Sequence, residues 1–167
     1  MNFVQIFSNI PHEIATLLIA MVPIAELRVS IPVALEVYEL SVFSSVFFSI
    51  LGNMVPVTFI LWLLPHVHEW ILRQKFLGKF FQKLLKRAEG KISGDLVRYG
   101  FAIALVIFIG IPLPMTGAWT GSLICFIFNL PFRKSWPIVF AGVCMAATIV
   151  TLVTLFAGVG LRWIINL

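Results

Sequence analysis

The chain has 167 residues, a net charge of +5, 60% A, V, I, L, M, F, W, Y or C, and only 11% charged side chains. That is one domain's worth of chain, and its apolar content is too high and too continuous for a soluble core. Charge-free runs at 40–68, 99–132 and 135–161 each exceed the ~20 residues that cross a hydrocarbon layer, so the sequence reads as an integral membrane protein.

Eight of the twelve basic residues fall between Arg73 and Arg98. A basic patch between membrane segments serves orientation and anionic head groups rather than nucleic acid. No Lys or Arg precedes Arg28, so the basic leader of a cleaved signal peptide is not expected. Cys125 and Cys144 both lie in apolar segments and read as packed, inert thiols.

Residues 14–25 form a first apolar arm. As a helix it would extend ~18 Å against ~30 Å of hydrocarbon, too short to cross. Glu26 and Arg28 follow, flanked by Pro23 and Pro32. A chain that enters the bilayer, unwinds and returns fits this better than a span, and such backbone is tolerated only where it is buried or faces a wet cavity. Charges at bilayer depth cost about 2.5–3.5 kcal/mol each, so Glu26 and Arg28 are functional candidates. In an extended stretch both would point to one face. Arg28 could then hold an anionic group, and Glu26 could pair with it or exchange a proton. A static ion pair that holds the bend together is the structural alternative. Ser30, just before Pro32, is expected to open a helix.

Residues 41–64 read as a true span, with Gly52, Asn53 and Pro56 suggesting a close-packed or kinked middle. Residues 69–89 alternate apolar pairs with Lys75, Lys79, Lys83 and Lys86, the pattern of a basic amphipathic helix on the membrane surface. The 34 charge-free positions of 99–132 are broken by Gly110-Ile-Pro112-Leu-Pro114-Met-Thr116-Gly117. The break predicts a second hairpin, with Thr116 capping the helix that follows. Residues 137–161 form a second span. Asn53 and Asn129 are expected to make interhelical hydrogen bonds. His66 and His68, beside Glu69, lack metal-ligand spacing. No nucleophile elbow, P-loop or zinc signature is present, so the chain is read as a non-enzyme without cofactor or metal.

Arg98 precedes the second hairpin, and Arg133 and Lys134 follow it. Positive-inside placement puts both ends of that hairpin in the cytoplasm, along with residues 66–98. An offset of 90 aligns Lys134–Val150 with Ser44–Ile60, matching Ser45/Ser135, Gly52/Gly142 and Thr58/Thr148. The expected fold is therefore an all-α membrane domain over 1–167. It is an inverted repeat of a re-entrant helical hairpin plus a transmembrane helix (11–65 and 99–165), joined by the basic connector 66–98. Inverted repeats with discontinuous helices are a transporter architecture.

Pro23-Ile-Ala-Glu26-Leu-Arg28-Val-Ser-Ile-Pro32 resembles the Glu-Leu-Arg-Gly-Ala-Ile-Pro segment of the prokaryotic small multidrug export protein family. Val29-Ser30 stands where that segment has Gly-Ala. Ile111-Pro-Leu-Pro114-Met-Thr116-Gly117-Ala-Trp119-Thr-Gly121-Ser resembles the family's second motif. That family is similar to the wider DedA superfamily, and the resemblance implies facing re-entrant hairpins, transport of lipids, and a prokaryotic plasma (inner) membrane.

The leading functional expectation is transport of an amphipathic anion, such as a phosphate-bearing lipid carrier, with protons as candidate coupling ions. Its site would be built from Glu26, Arg28, Ser30, Pro112, Pro114, Thr116, Gly117 and Trp119. Proton-coupled export of cationic drugs at Glu26 is one alternative. A non-transporting scaffold that uses the basic helix is another. Membrane lipids and a second copy of the chain are the expected partners, the latter because so few helices enclose a path.

Overall fold

The computed structural model describes residues 10–73, 95–113, 116–128 and 130–165, with side chains over 10–63, 100–113, 116–128 and 130–157. Pro114, Asn129 and most of the basic connector, 74–94, lie outside the described residues.

The described residues form six helices and no strand. They are α1 (His12–Met21), α2 (Glu26–Pro32), α3 (Val42–Arg73), α4 (Asp95–Gly110), α5 (Ala118–Ile127) and α6 (Phe132–Ile165). A π-helical stretch, Val33–Val37, continues α2. Pro32 has no N–H to give to an α-helical ladder, and the chain passes it by widening its turn rather than stopping.

Two stretches are long and apolar enough to span a bilayer, Val42–Leu63 in α3 and Phe132–Ala157 in α6. Only about a third of the apolar window in each is buried inside the protein. Phe43 and Phe59 on α3 and Val153 and Phe156 on α6 are more than 60% exposed. Apolar surface on that scale needs lipid or another apolar partner. The chain is a membrane protein. With 10, 16 and 10 residues, α1, α4 and α5 reach about 15, 24 and 15 Å, short of the ~30 Å hydrocarbon layer. Residues 66–73 are already part of α3 and 95–98 part of α4, so helix extends into both ends of the expected connector.

The helices interlock. α1 packs on α3 and α4 packs on α6, while α2 and α5 each pack on both long helices. Glycine sets the first two contacts. A Cβ on Gly52 would enter the Leu17 carbonyl of α1, and one on Gly142 would meet Ile109 and the Val106 carbonyl of α4. α3 runs through Pro56 as a helix; the close-packed middle expected there is the Gly52 contact.

Burial recurs in register between the first three helices and the last three. At an offset of 90, α3 and α6 bury Ser45/Ser135, Ser49/Val139, Gly52/Gly142, Asn53/Val143, Val57/Ala147 and Leu61/Thr151. Ala15/Leu105 and Ile19/Ile109 do the same in α1 and α4. Across α2 and α5 the offset becomes 91, matching Leu27/Ala118, Ser30/Gly121, Ile31/Ser122 and Ala34/Cys125. The π-helical stretch holds the extra residue of the first set, as π-bulges do. Beyond it the backbone bonds Leu40 N–H to Ala34 C=O and Leu130 N–H to Cys125 C=O, both 2.9 Å, bring the offset back to 90. The main core joins residues from both sets, including Leu27, Ile31, Val57, Ile109, Cys125, Val139 and Val143.

Candidate functional site: a carboxylate on a facing helix start

Each short-helix pair turns at a tip. In the first, α1 ends at Met21 and α2 opens at Glu26. In the second, α4 ends at Gly110 and α5 opens after Gly117. The two tips meet.

Glu26 has φ 46° and Gly117 has φ 141°. These are equivalent positions at the offset of 91, and both require backbone that L side chains disfavour. Glycine adopts it freely; a non-glycine residue held there costs on the order of 1–3 kcal/mol. Strain of this kind gathers at functional sites. Glu26 carries it while only 5% exposed.

Its carboxylate reaches the other tip. Oε1 accepts from the Trp119 backbone N–H at 3.4 Å, and a Cβ on Gly117 would collide with the carboxylate. Glycine at 117 is therefore required twice, by its φ and by the carboxylate beside it. The first N–H groups of a helix lack intrahelical partners and carry partial positive charge. Among the described residues no side chain local to α5 caps it; Glu26, 93 residues away in sequence from Trp119, supplies the acceptor.

Arg28 is the counter-charge. Nη2 lies 3.7 Å from Glu26 Oε2 and donates to Thr116 Oγ1 at 3.4 Å. Both contacts use one of the guanidinium's three nitrogens, leaving most of its five donors uncommitted among the described residues. At 3.4–3.7 Å these contacts are long for charge-assisted bonds, which settle near 2.7–2.9 Å. The carboxylate is thus neutralised by an arginine and a helix start without being gripped by either.

The other expected site residues have different places. Thr116 does not cap α5. Its hydroxyl lies 2.8 Å from the Ile111 and Leu113 carbonyls, and its oxygen accepts from Leu113 N–H at 3.2 Å, so it closes its own loop and turns a lone pair to Arg28. Pro112 sits half-buried in that loop. Ser30 does not open a helix; it lies one turn inside α2, fully buried, and donates to Ser49 Oγ of α3 at 2.8 Å. The unwound stretch expected around Glu26 and Arg28 is confined to 22–25, and both charges ride on the first turn of α2. Among the described residues Asn53 makes no interhelical hydrogen bond: its amide N and O are both buried without a partner there. Trp119 Nε1 is buried without a partner as well. An apolar groove of 540 Å³ between α3 and α6 includes none of these tip residues.

Sequence reading missed Ser49. The signal was the four-residue spacing Ser41, Ser45, Ser49, Asn53, which marks one helix face.

The family profile described as "Putative small multi-drug export protein" matches residues 26–149, about three quarters of the chain. The chain belongs to this family. No curated protein and no solved structure matches it. The matched region begins at Glu26, where α2 opens, and takes in Arg28 and all of the second tip's loop, while α1 and the turn 22–25 lie before it. Membership in a family described as exporters, with two helices of spanning length, points to a membrane transporter. Among the described residues no group of three His, Cys, Asp or Glu side chains could hold a metal.

Proposed function

We propose that the chain moves an amphipathic anion, such as a phosphate-bearing lipid, across a prokaryotic plasma membrane. Arg28 and the N–H groups opening α5 form the head-group receptor, and Glu26 is the resident anion that the substrate displaces. One observation carries this reading: the Glu26 carboxylate already rests on those donors, at Trp119 N–H and Arg28 Nη2. Donors that hold a carboxylate at 3.4–3.7 Å suit a phosphate, which brings more charge and more acceptor atoms. Protonation of Glu26 would free the same donors, which gives a route to proton coupling.

The architecture we propose around this site is an inverted repeat, with α1–α2 and α4–α5 as re-entrant hairpins. Its support is the shared burial register, the paired Gly52 and Gly142 contacts, and the positive φ at Glu26 and Gly117. The positive charges of Arg98, Arg133 and Lys134 support a cytoplasmic 66–98 in this reading.

The test is transport of a fluorescent phosphate-headed lipid by reconstituted protein. Arg28→Ala is expected to abolish transport while the protein still folds. Normal transport by Arg28→Ala contradicts the anion site. The family's description supports drug export as a second reading, which we take further as proton-coupled export of cationic drugs with Glu26 as the cation site. On that reading Glu26→Gln stops export and Arg28→Ala spares it.

A further inference from the structure

Resting on the reading of Glu26 as an exchangeable anion, we propose that one face of α3 is a hydrated polar file carrying protons between the membrane surface and Glu26. Ser45, Ser49 and Ser30 are its hydroxyls, and Asn53 positions the water nearest the carboxylate.

The file begins at an acidic rim. Glu36 and Glu39 are exposed immediately before α3, and Ser41 is exposed at its start. Ser45, Ser49 and Asn53 follow at four-residue steps, each no more than 1% exposed. Ser45 Oγ donates to the Ser41 carbonyl at 2.9 Å, and Ser30 Oγ donates to Ser49 Oγ at 2.8 Å.

α2 and α3 are joined by a short connection, 38–41, which makes them antiparallel neighbours. Ser30 faces Ser49 across that pair. One turn further from the connection, Glu26 on α2 therefore comes level with Asn53 on α3. Asn53 is where the file would otherwise end, and its amide donors and carbonyl are unpartnered there. A buried amide left unbonded costs about 1–3 kcal/mol, and a water with a carboxylate on its other side satisfies it.

The second set of helices shows that packing does not require these groups. Where the first set buries Glu26, Ser30, Ser49 and Asn53, the second buries Gly117, Gly121, Val139 and Val143. The same register closes there without a polar side chain at any of the four positions.

Each step moves only a proton. A water donates to the Glu26 carboxylate, forming the neutral acid, and is re-protonated by its neighbour back to the rim. Arg28 is the charged group in contact with Glu26. Over their described side chains α3 and α5 carry no charge. On α6 the charged residues with described side chains, Arg133 and Lys134, are exposed at its start. On α1, Glu13 is half-buried in the first turn beside His12, which stacks on Tyr38 at 4.6 Å.

The experiment follows the Glu26 carboxylic-acid infrared band of the full chain in lipid nanodiscs after a rapid pH change. The band is assigned by its absence in Glu26→Gln. Asn53→Val, which copies Val143, is expected to fold as wild type and to slow the band's appearance about ten- to a hundredfold. Ser49→Val should slow it as well, and Asn53→Ser should restore much of the rate. Equal rates in wild type and a folded Asn53→Val overturn the file, as does a wild-type band that never responds to pH. No substrate enters this measurement, so its failure is distinct from failure of the Arg28 transport test.

Discussion

The two tips occupy equivalent places in the fold and differ in chemistry. Both turn on a residue with positive φ, and both lead into a short helix with the same buried positions. At the second tip that residue is Gly117, which costs nothing in this conformation. At the first it is Glu26, buried and strained. The helices behind them differ in the same sense, with Ser49 and Asn53 on α3 against Val139 and Val143 on α6. At these positions the frame closes equally well with glycine and valine, so packing alone does not call for the polar groups of the first set.

Exchanging the tips tests this most severely. Gly117→Ala adds backbone strain and drives a methyl group into the Glu26 carboxylate, so a loss of about 3 kcal/mol or more is expected, read as a large fall in the unfolding midpoint in detergent. Glu26→Gly removes strain at the first tip and should leave that midpoint near wild type while transport is lost. If Glu26→Gly unfolds the protein, the carboxylate is structural.

The glycine contacts come next. Gly52→Ala and Gly142→Ala should each cost about 1–3 kcal/mol by overpacking, and by similar amounts, since each meets the paired short helix. A large effect at one and none at the other would separate the two helix pairs.

The polar stripe should give smaller and opposite effects. Asn53→Val removes a buried amide that has no protein partner among the described residues and is expected to be neutral or to stabilise by about 1 kcal/mol. Val143→Asn should destabilise by about 1–3 kcal/mol. Smallest of all, Gly100→Ala meets nothing within 4 Å and should stabilise α4 by up to about 1 kcal/mol.

Much of this frame is legible in the sequence. The spans follow from uncharged length, the tips from proline and glycine, and the two charges stand out against apolar neighbours. The offset of 90 is carried by Ser45/Ser135, Gly52/Gly142 and Thr58/Thr148. Their hydroxyls also behave alike: Ser45 and Ser135 bond the carbonyls of Ser41 and Pro131, and Thr58 and Thr148 those of Met54 and Cys144. What the sequence hides is tertiary. Thr116 has the chemistry of a cap and stands one residue before Gly117, yet a carboxylate from the other tip takes that role. Ser30 looks like a helix start because Pro32 follows, yet the chain absorbs Pro32 in a π-turn. That same turn shifts the register by one residue, which conceals the pairing of Glu26 with Gly117.

The most direct measurement is the affinity of a short-chain alkyl phosphate for the purified protein, wild type against Glu26→Gln and Arg28→Ala. If Glu26 is the resident anion, removing its charge raises the fraction of receptor that is free, and binding tightens in Glu26→Gln by about tenfold while Arg28→Ala loses it. Weaker binding in Glu26→Gln, or unchanged binding in Arg28→Ala, would contradict the account.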